Sequence, residues 1–373
     1  MKAATSRFPP WLKKRLPRGG RMREVSDVLD GLGIHTVCRS ARCPNRCECF
    51  ARGTATFMIL GDVCTRHCRF CAVGSGSPLP VDPGEPERVA EAAHRLGLTY
   101  VVVTSVTRDD LPDGGAAHFA RTVRAVTAAT HAPVEVLTPD FQGDPAAVDT
   151  VLAAGPAVYN HNVETVPRLY ELVRPEARYP RSLGLLRRVA ASGTSVPKSG
   201  LMVGLGETDD EVYAVLDDLA AAGCEMLTIG QYLRPSPAHR PVERYVEPRV
   251  FQRYREAGLR RGLRWIASAP FVRSSYRAEA AFASATTRRE TRMLWEVVMP
   301  PLGEDAGDEC KVSFWHVEVG EAVRKDDSLV EMTTDKAVFD VPAPHTGTLA
   351  EVFAGEDDAV KVGQKIAVIE TAE

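Results

Sequence analysis

The stretch TFMILGDVCTRHCRFC, residues 56–71, decides both the fold and the chemistry of this 373-residue chain. Its first five residues are a short apolar run, as expected of a strand buried on both faces. Gly61 and Asp62 break the run, and Cys64, Cys68 and Cys71 follow within eight residues. Three thiolates on one bent loop can wrap three irons of a four-iron cubane and leave the fourth iron open to a ligand. The competing reading is a structural zinc site. Zinc prefers four closed ligands in two pairs, and no second pair follows at ordinary spacing.

Downstream of this loop, strand-like and helix-like segments alternate to about residue 270. Apolar segments at 56–60, 100–106, 134–138, 157–163, 196–203 and 226–232 predict strands. Helical patterns lie between them at 87–96, 116–129, 146–153, 181–191 and 209–222. Six βα units in series predict an α/β parallel sheet, either doubly wound or barrel-like. In a barrel the chemistry sits on loops at the C-terminal ends of the strands, where Cys64 falls.

A second cysteine set lies upstream, in CRSARCPNRCEC (38–49), with Cys38, Cys43 and Cys49 at its regular positions. Read with RSSY (273–276), it narrows the chemistry. The chain here resembles the lipoyl synthases of the radical S-adenosylmethionine superfamily, down to the aromatic Phe70 before Cys71. The likeness extends through residues 9–277, including PPWL (9–12), TSVTRDDLPDGG (104–115), YNHNVETVPR (159–168), KSGLMVGLGET (198–208) and GQYLRPS (230–236).

The resemblance implies a partial (β/α)6 TIM-type barrel, residues 54–277, preceded by a cluster-binding extension, residues 1–53. It implies two 4Fe-4S clusters. One, on Cys64, Cys68 and Cys71, leaves an iron open for S-adenosyl-L-methionine, whose cleavage gives a 5′-deoxyadenosyl radical. The auxiliary cluster sits on Cys38, Cys43 and Cys49, completed by a serine of RSSY. The matching ligand is Ser275, with Ser274 as the alternative. A serine oxygen is a harder, weaker partner for iron than a thiolate, which suits a cluster that is opened and consumed. The implied reaction inserts two sulfurs, at C6 and C8, into a protein-bound octanoyl chain.

Candidates for the nucleotide site follow from strand-end placement and the same likeness. Asn162 and Glu164 can hydrogen-bond a ribose and an amino group. Arg174 can pair with a carboxylate. Gly204 and Glu207 belong to a GLGE turn whose glycines allow close backbone approach. The bland reading of that turn is an ordinary strand-end loop. Cys47 is read as a small residue at a tolerant loop position, and Cys224 and Cys310 as packing residues.

Residues 277–293 lack clear apolar periodicity and predict a linker, with 278–293 as its span. Beyond it, VEVGEAVRKDDSLVEMTT from Val317 resembles VFAGEDDAVKVGQKIAVIET from Val352. Short alternating apolar runs broken by glycine or acidic turns predict a small all-β unit over residues 294–373. Lys336 lies in the turn between the two halves. This segment resembles a lipoyl domain, with MPPLGE (299–304) opening it and Lys336 at the acceptor position for a covalent lipoyl or octanoyl group. Biotin carriers share the fold but usually place methionines around the lysine. A solvated turn lysine is the plain alternative.

Charge divides along the same boundary. Residues 294–373 hold 18 Asp+Glu against 6 Lys+Arg, a net of −12; the remainder holds 31 against 40, a net of +9, and together they give −3. A basic body and an acidic carrier attract. A flexible 17-residue linker spans roughly 20–25 Å. The expected substrate is therefore the chain's own lipoyl domain, in cis or across a dimer. Octanoylated lipoyl domains or H-protein-like carriers are further partners. A ferredoxin- or flavodoxin-type reductant supplies electrons, and an octanoyl transferase or lipoate ligase acts on Lys336. Two rivals from other classes are a non-catalytic carrier subunit of a 2-oxoacid dehydrogenase complex and another sulfur-inserting radical enzyme. In a third reading the fused domain is a docking module.

Composition fits these expectations. A hydrophobic fraction of 44% and a charged fraction of 25% are those of a soluble globular protein. Seven of the nine cysteines fall between residues 38 and 71, which predicts metal ligation in a reducing, cytoplasmic setting. No membrane span and no export signal are expected, and prolines 9, 10 and 17 interrupt any amphipathic transit helix. No dense Lys/Arg stripe interleaved with aromatics points to nucleic acid.

Overall fold

The computed structural model describes residues 8–14, 17, 19–290, 293–301, 309–334 and 337–371, with the side chains of 286–290, 293 and 294 excepted. The chain divides into two compact units, Met1–Ala283 and Ser284–Glu373.

The first unit is built on one eight-stranded sheet. Its strands are β1 (His35–Thr36), β2 (Thr56–Ile59), β3 (Val101–Ser105), β4 (Val134–Leu137), β5 (Val158–Asn160), β6 (Val196–Val203), β7 (Met226–Gln231) and β8 (Trp265–Ser268), in spatial order β1 to β8. All neighbours pair in parallel except β1, which runs antiparallel on β2. The six expected strands are all present and adjacent. The two edge strands were not foreseen. β1 is too short to carry a period, and β8 lies beyond the last helix-strand alternation that was read. β1 and β8 do not pair, so the sheet is open rather than a closed barrel. Every residue of β2 and of β7 is buried, which is why their sequences read as continuous apolar runs.

Flanking helices include Glu85–Arg95, Ala116–Thr130, Tyr179–Ser192 and Asp209–Ala221. The last opens on a full capping box, with Thr208 and Glu211 bonding each other's backbone N–H groups.

The stretch read as a linker carries a helix, Ala278–Glu290. Five alanines in its first eight residues explain this, because alanine has the highest helix propensity. Ala278 and Phe282 pack on Tyr100 and Val102. The flexible-coil span therefore does not hold along the helical residues.

The second unit is a sandwich of two four-stranded sheets. Its strands are β9 (Met293–Val298), β10 (Glu309–Trp315), β11 (Ala322–Val323), β12 (Ser328–Thr333), β13 (Val338–Pro342), β14 (Gly347–Val352), β15 (Ala359–Lys361) and β16 (Lys365–Thr371). The sheets run β9-β16-β14-β11 and β13-β12-β10-β15. The internal repeat is a structural one. Asp326 and Gly363 take left-handed φ of 72° and 78° at matching turns. Asp327 and Gln364 close those turns by accepting from the backbone N–H of Arg324 and Lys361. Buried Val323, Leu329, Leu349, Val360 and Ile366 fill the space between the sheets.

Candidate active site

A cavity of about 520 Å³ opens at the C-terminal ends of the parallel strands. Cys38, Cys43, Cys49, Cys64, Cys68, Cys71 and Ser275 all line it, although they span more than 230 residues of sequence. Cys47 does not line it.

Local structure explains how each cysteine arrives there. Thr36 accepts the Arg39 N–H and starts the helix Val37–Ser40, which carries Cys38. Arg42 takes a left-handed φ of 50°, so the chain reverses before Cys43. The helix Arg46–Ala51 presents Cys49. Cys64 leaves β2 on a short ribbon, Val63–Cys64 against Gly74–Ser75. Its Sγ accepts from the backbone N–H of Thr107 (3.3 Å) and Arg66 (3.4 Å). The Cys71 carbonyl accepts from His239 Nε2 at 2.9 Å.

Burial pushes the Cys49 and Cys68 thiols up to about 12 and Cys71 up to about 11; Cys38 is raised for the same reason. Such thiols stay protonated until a metal displaces the proton. In a cubane each cysteine binds a different iron, and three thiols of each group face the cavity. The donor set of three thiols per group, facing one cavity, suits clusters rather than a closed zinc site.

The neighbouring serines differ. Ser274 Oγ accepts from Asn162 Nδ2 at 2.7 Å, whereas Ser275 Oγ has no hydrogen bond among the described residues. Asn162 also donates to Glu164 Oε1 at 3.0 Å, and its own Oδ1 is buried without a partner. Glu164 holds a left-handed φ of 65°, fixed by backbone bonds to Gly200 and Met202. Burial raises its carboxyl and the Arg174 guanidinium partly offsets this. Arg174 donates from Nη1 to the carbonyls of Asn162 (2.8 Å) and Val163 (3.2 Å), and its Nε is buried without a partner. Asn162, Glu164 and Arg174 all line the cavity.

Gly204 and Glu207 do not line it. The Glu207 carboxylate folds back onto the backbone N–H groups of Gly204 (2.6 Å) and Leu205 (2.9 Å). A Cβ at Gly204 would lie 2.1 Å from Gln231 Nε2, so that glycine serves packing of its own loop. The GLGE turn is thus self-capped. Cys224 and Cys310 are buried, each against backbone carbonyls, as packing residues.

One clamp was not foreseen. Arg66, inside the three-cysteine loop, makes two bonds to Asp109 (2.6 and 2.9 Å) and one to Asp140 (2.6 Å). Asp140 also meets Arg181 at 3.2 Å. It sits just before Phe141 and Gln142, which hold left-handed φ of 45° and 53°. Burial alone would raise the Asp140 carboxyl, but the bond and charge of Arg66 hold it down to about 2. A depression of this size is worth about 2 kcal/mol at neutral pH. That contribution is present above the ordinary aspartate value and is lost as pH falls from about 4 toward 2. Asp140→Asn is therefore expected to cost about 2 kcal/mol in urea unfolding at pH 7. A cost below about 0.5 kcal/mol, the level of an exposed pair, would show that the clamp does not hold the loop.

Lys336 and Asp335 lie outside the described residues. Thr334 and Ala337, which flank them in sequence, exchange backbone and side-chain hydrogen bonds of 2.8–3.1 Å.

A parallel α/β sheet with a three-cysteine loop beyond its first parallel strand defines the catalytic unit as a radical S-adenosylmethionine enzyme, and residues 58–219 match the sequence model of that superfamily. Residues 1–43 match the N-terminal domain of lipoyl synthase, and residues 295–369 match a biotin/lipoyl model described as "Biotin-requiring enzyme". A lipoyl synthase of Nitratidesulfovibrio vulgaris is 58% identical over 284 residues, covering 76% of this chain and 95% of the relative. One from Caldanaerobacter subterraneus is 55% identical over 282 residues, covering 75% and 99%. The chain belongs to the lipoyl synthase family, with a lipoyl domain fused to it. Among solved structures, methylornithine synthase matches with a TM-score of 0.42 at 14% identity, covering 67% of this chain and 82% of that one. Family membership implies iron–sulfur clusters and S-adenosylmethionine, and sulfur insertion as the reaction. No helix among the described residues is long and apolar enough to cross a membrane.

Proposed function

We infer that the chain converts a protein-bound octanoyl-lysine to lipoyl-lysine with two clusters in the one cavity. Cys64, Cys68 and Cys71 hold the cluster that leaves an iron open. Cys38, Cys43, Cys49 and Ser275 hold the auxiliary cluster. The observation that carries this reading is the convergence of all seven on a single cavity of about 520 Å³. When bound, the clusters and S-adenosylmethionine supply the electron, the carbon-centred radical chemistry and the sulfur.

The chain's own residues bind and orient. Asn162 offers a buried, unpartnered Oδ1 toward the cavity. Arg174 brings a buried positive charge with a free Nε, suited to a carboxylate. Glu164 offers a carboxylate for an amino group. Thr104, Leu137, Met202 and Tyr232 also line the cavity and give it apolar and hydroxyl walls. Such walls suit an octanoyl chain.

Lys336 carries the octanoyl group in this reading, and the attached body modifies it, in cis or across a dimer. Covalent connection makes the encounter intramolecular and raises the local concentration of the carrier. The opposite net charges of the two segments add attraction. The expected result, by intact-mass and peptide spectrometry, is an octanoyl adduct on Lys336 that gains two sulfurs in place of two hydrogens on turnover. Persistent absence of either adduct in cells with active lipoylation would sink the proposal. A ferredoxin- or flavodoxin-type donor and an octanoyl transferase or ligase complete the cycle.

A further inference from the structure

The RSSY segment does more than present one serine. Tyr276 OH donates to Glu48 Oε1 at 2.7 Å, and Glu48 lies between Cys47 and Cys49 in the auxiliary motif. Glu48 Oε2 pairs with Lys14 Nζ at 2.5 Å. Lys14 also donates to Asn45 Oδ1 at 2.6 Å, and Asn45 Nδ2 donates to the Phe271 carbonyl at 2.7 Å. The auxiliary motif therefore grips the segment at Phe271 and at Tyr276. Within that span, Ser274 is tied to Asn162. Ser275, the proposed ligand, is the unattached residue between these anchors.

The chemistry gives this pattern a purpose. A serine–iron bond is weaker than a thiolate–iron bond, and a cluster that yields sulfur must open. When that bond breaks, a free loop would carry the serine away and lose it to chain entropy. Anchors on both sides keep it near.

We propose that Glu48 and Tyr276 form a latch that holds Ser275 within reach of the auxiliary cluster site whether or not its oxygen is on iron. The latch rests on the assignment of Ser275 given above. Glu48 and Tyr276 are positioning residues. Asn45 and Lys14 brace them. Three of the braces involve a charged group, and such bonds contribute more than neutral ones. Two of the four participants come from the cysteine motif itself, so the motif carries its own hold on the serine that completes it.

Hydrogen exchange on the anaerobically reconstituted full chain tests the latch, with the Mössbauer spectrum of the auxiliary cluster as a second readout. Ser275→Ala should leave protection across 271–277 within about twofold of the wild type, because the anchors do not need the serine. Tyr276→Phe and Glu48→Ala should each raise exchange there at least about tenfold, the effect expected of a lost bond to a charged group. Both should also reduce the oxygen-ligated iron signal although Ser275 is present. Protection in β6 and β7 reports that the fold is intact. Wild-type exchange in both latch variants overturns the latch. An unchanged spectrum in Ser275→Ala overturns the serine ligand itself, and the two failures are read on separate instruments.

Discussion

Replacing any one of Cys64, Cys68 or Cys71 by alanine is expected to remove about four of about eight irons and to abolish S-adenosylmethionine cleavage. Two cubanes account for the total. With two thiolates left on the loop, two irons lack protein ligands, and the buried neighbours do not replace the third. His67 is exposed and turned to Glu176, at 3.3 Å, and Arg66 is committed to Asp109 and Asp140. A loss of at least about a thousandfold in 5′-deoxyadenosine formation follows, equivalent to roughly 4 kcal/mol or more of activation free energy. Cys38, Cys43 and Cys49 predict a different failure. Their alanine variants should also lose about four irons, yet cleave S-adenosylmethionine without inserting sulfur. The contrast is the informative part, since all six cysteines line one cavity and a general collapse would erase both activities together. Iron and sulfide content, with 5′-deoxyadenosine and lipoyl product measured in the same samples, separates the sets. A first-set variant that still cleaves S-adenosylmethionine would overturn the assignment.

Much of this was legible in the sequence, for physical reasons that differ from residue to residue. The parallel strands are buried on both faces, so each printed itself as an apolar run, and β6 falls on the expected residues. The cysteine motifs are local, and locality is what sequence spacing reports. The internal repeat predicted a small all-β unit, and the two halves do use matching turns at Asp326 and Gly363. Other features depend on partners far along the chain. The clamp on Arg66 needs Asp140, 74 residues away, and the latch on Glu48 needs Tyr276, 228 residues away. No spacing rule reaches such pairs. The Glu207 carboxylate caps the backbone N–H groups of Gly204 and Leu205 in its own loop, a local bond that the glycine spacing did not announce. The helix in the alanine-rich stretch after RSSY was not legible as a period because its buried residues are small and its apolar period is faint. Propensity, rather than periodicity, carried that signal.

Lys198→Met should strongly destabilise the catalytic unit. Lys198 and Glu135 are both fully buried and pair at 2.7 and 3.0 Å. Tyr100 OH and Asn160 Nδ2 complete the carboxylate at 3.0 and 3.3 Å. Glu135 and Lys198 each lie two residues before a cavity-lining residue, Leu137 and Gly200, so they face the same side of the sheet one layer down. They form a charged floor beneath the site. Removing the lysine leaves a buried carboxylate with only neutral donors, a loss of roughly 3–5 kcal/mol. The fall in Tm should be on the order of 10 °C. Adding Glu135→Gln to Lys198→Met should recover most of it, because the charge goes while an acceptor for Tyr100 remains. A double variant no more stable than Lys198→Met would assign the loss to packing of the lysine stem instead. A Lys198→Met chain as stable as the wild type at pH 8 would show that the floor is held by the apolar sheet alone.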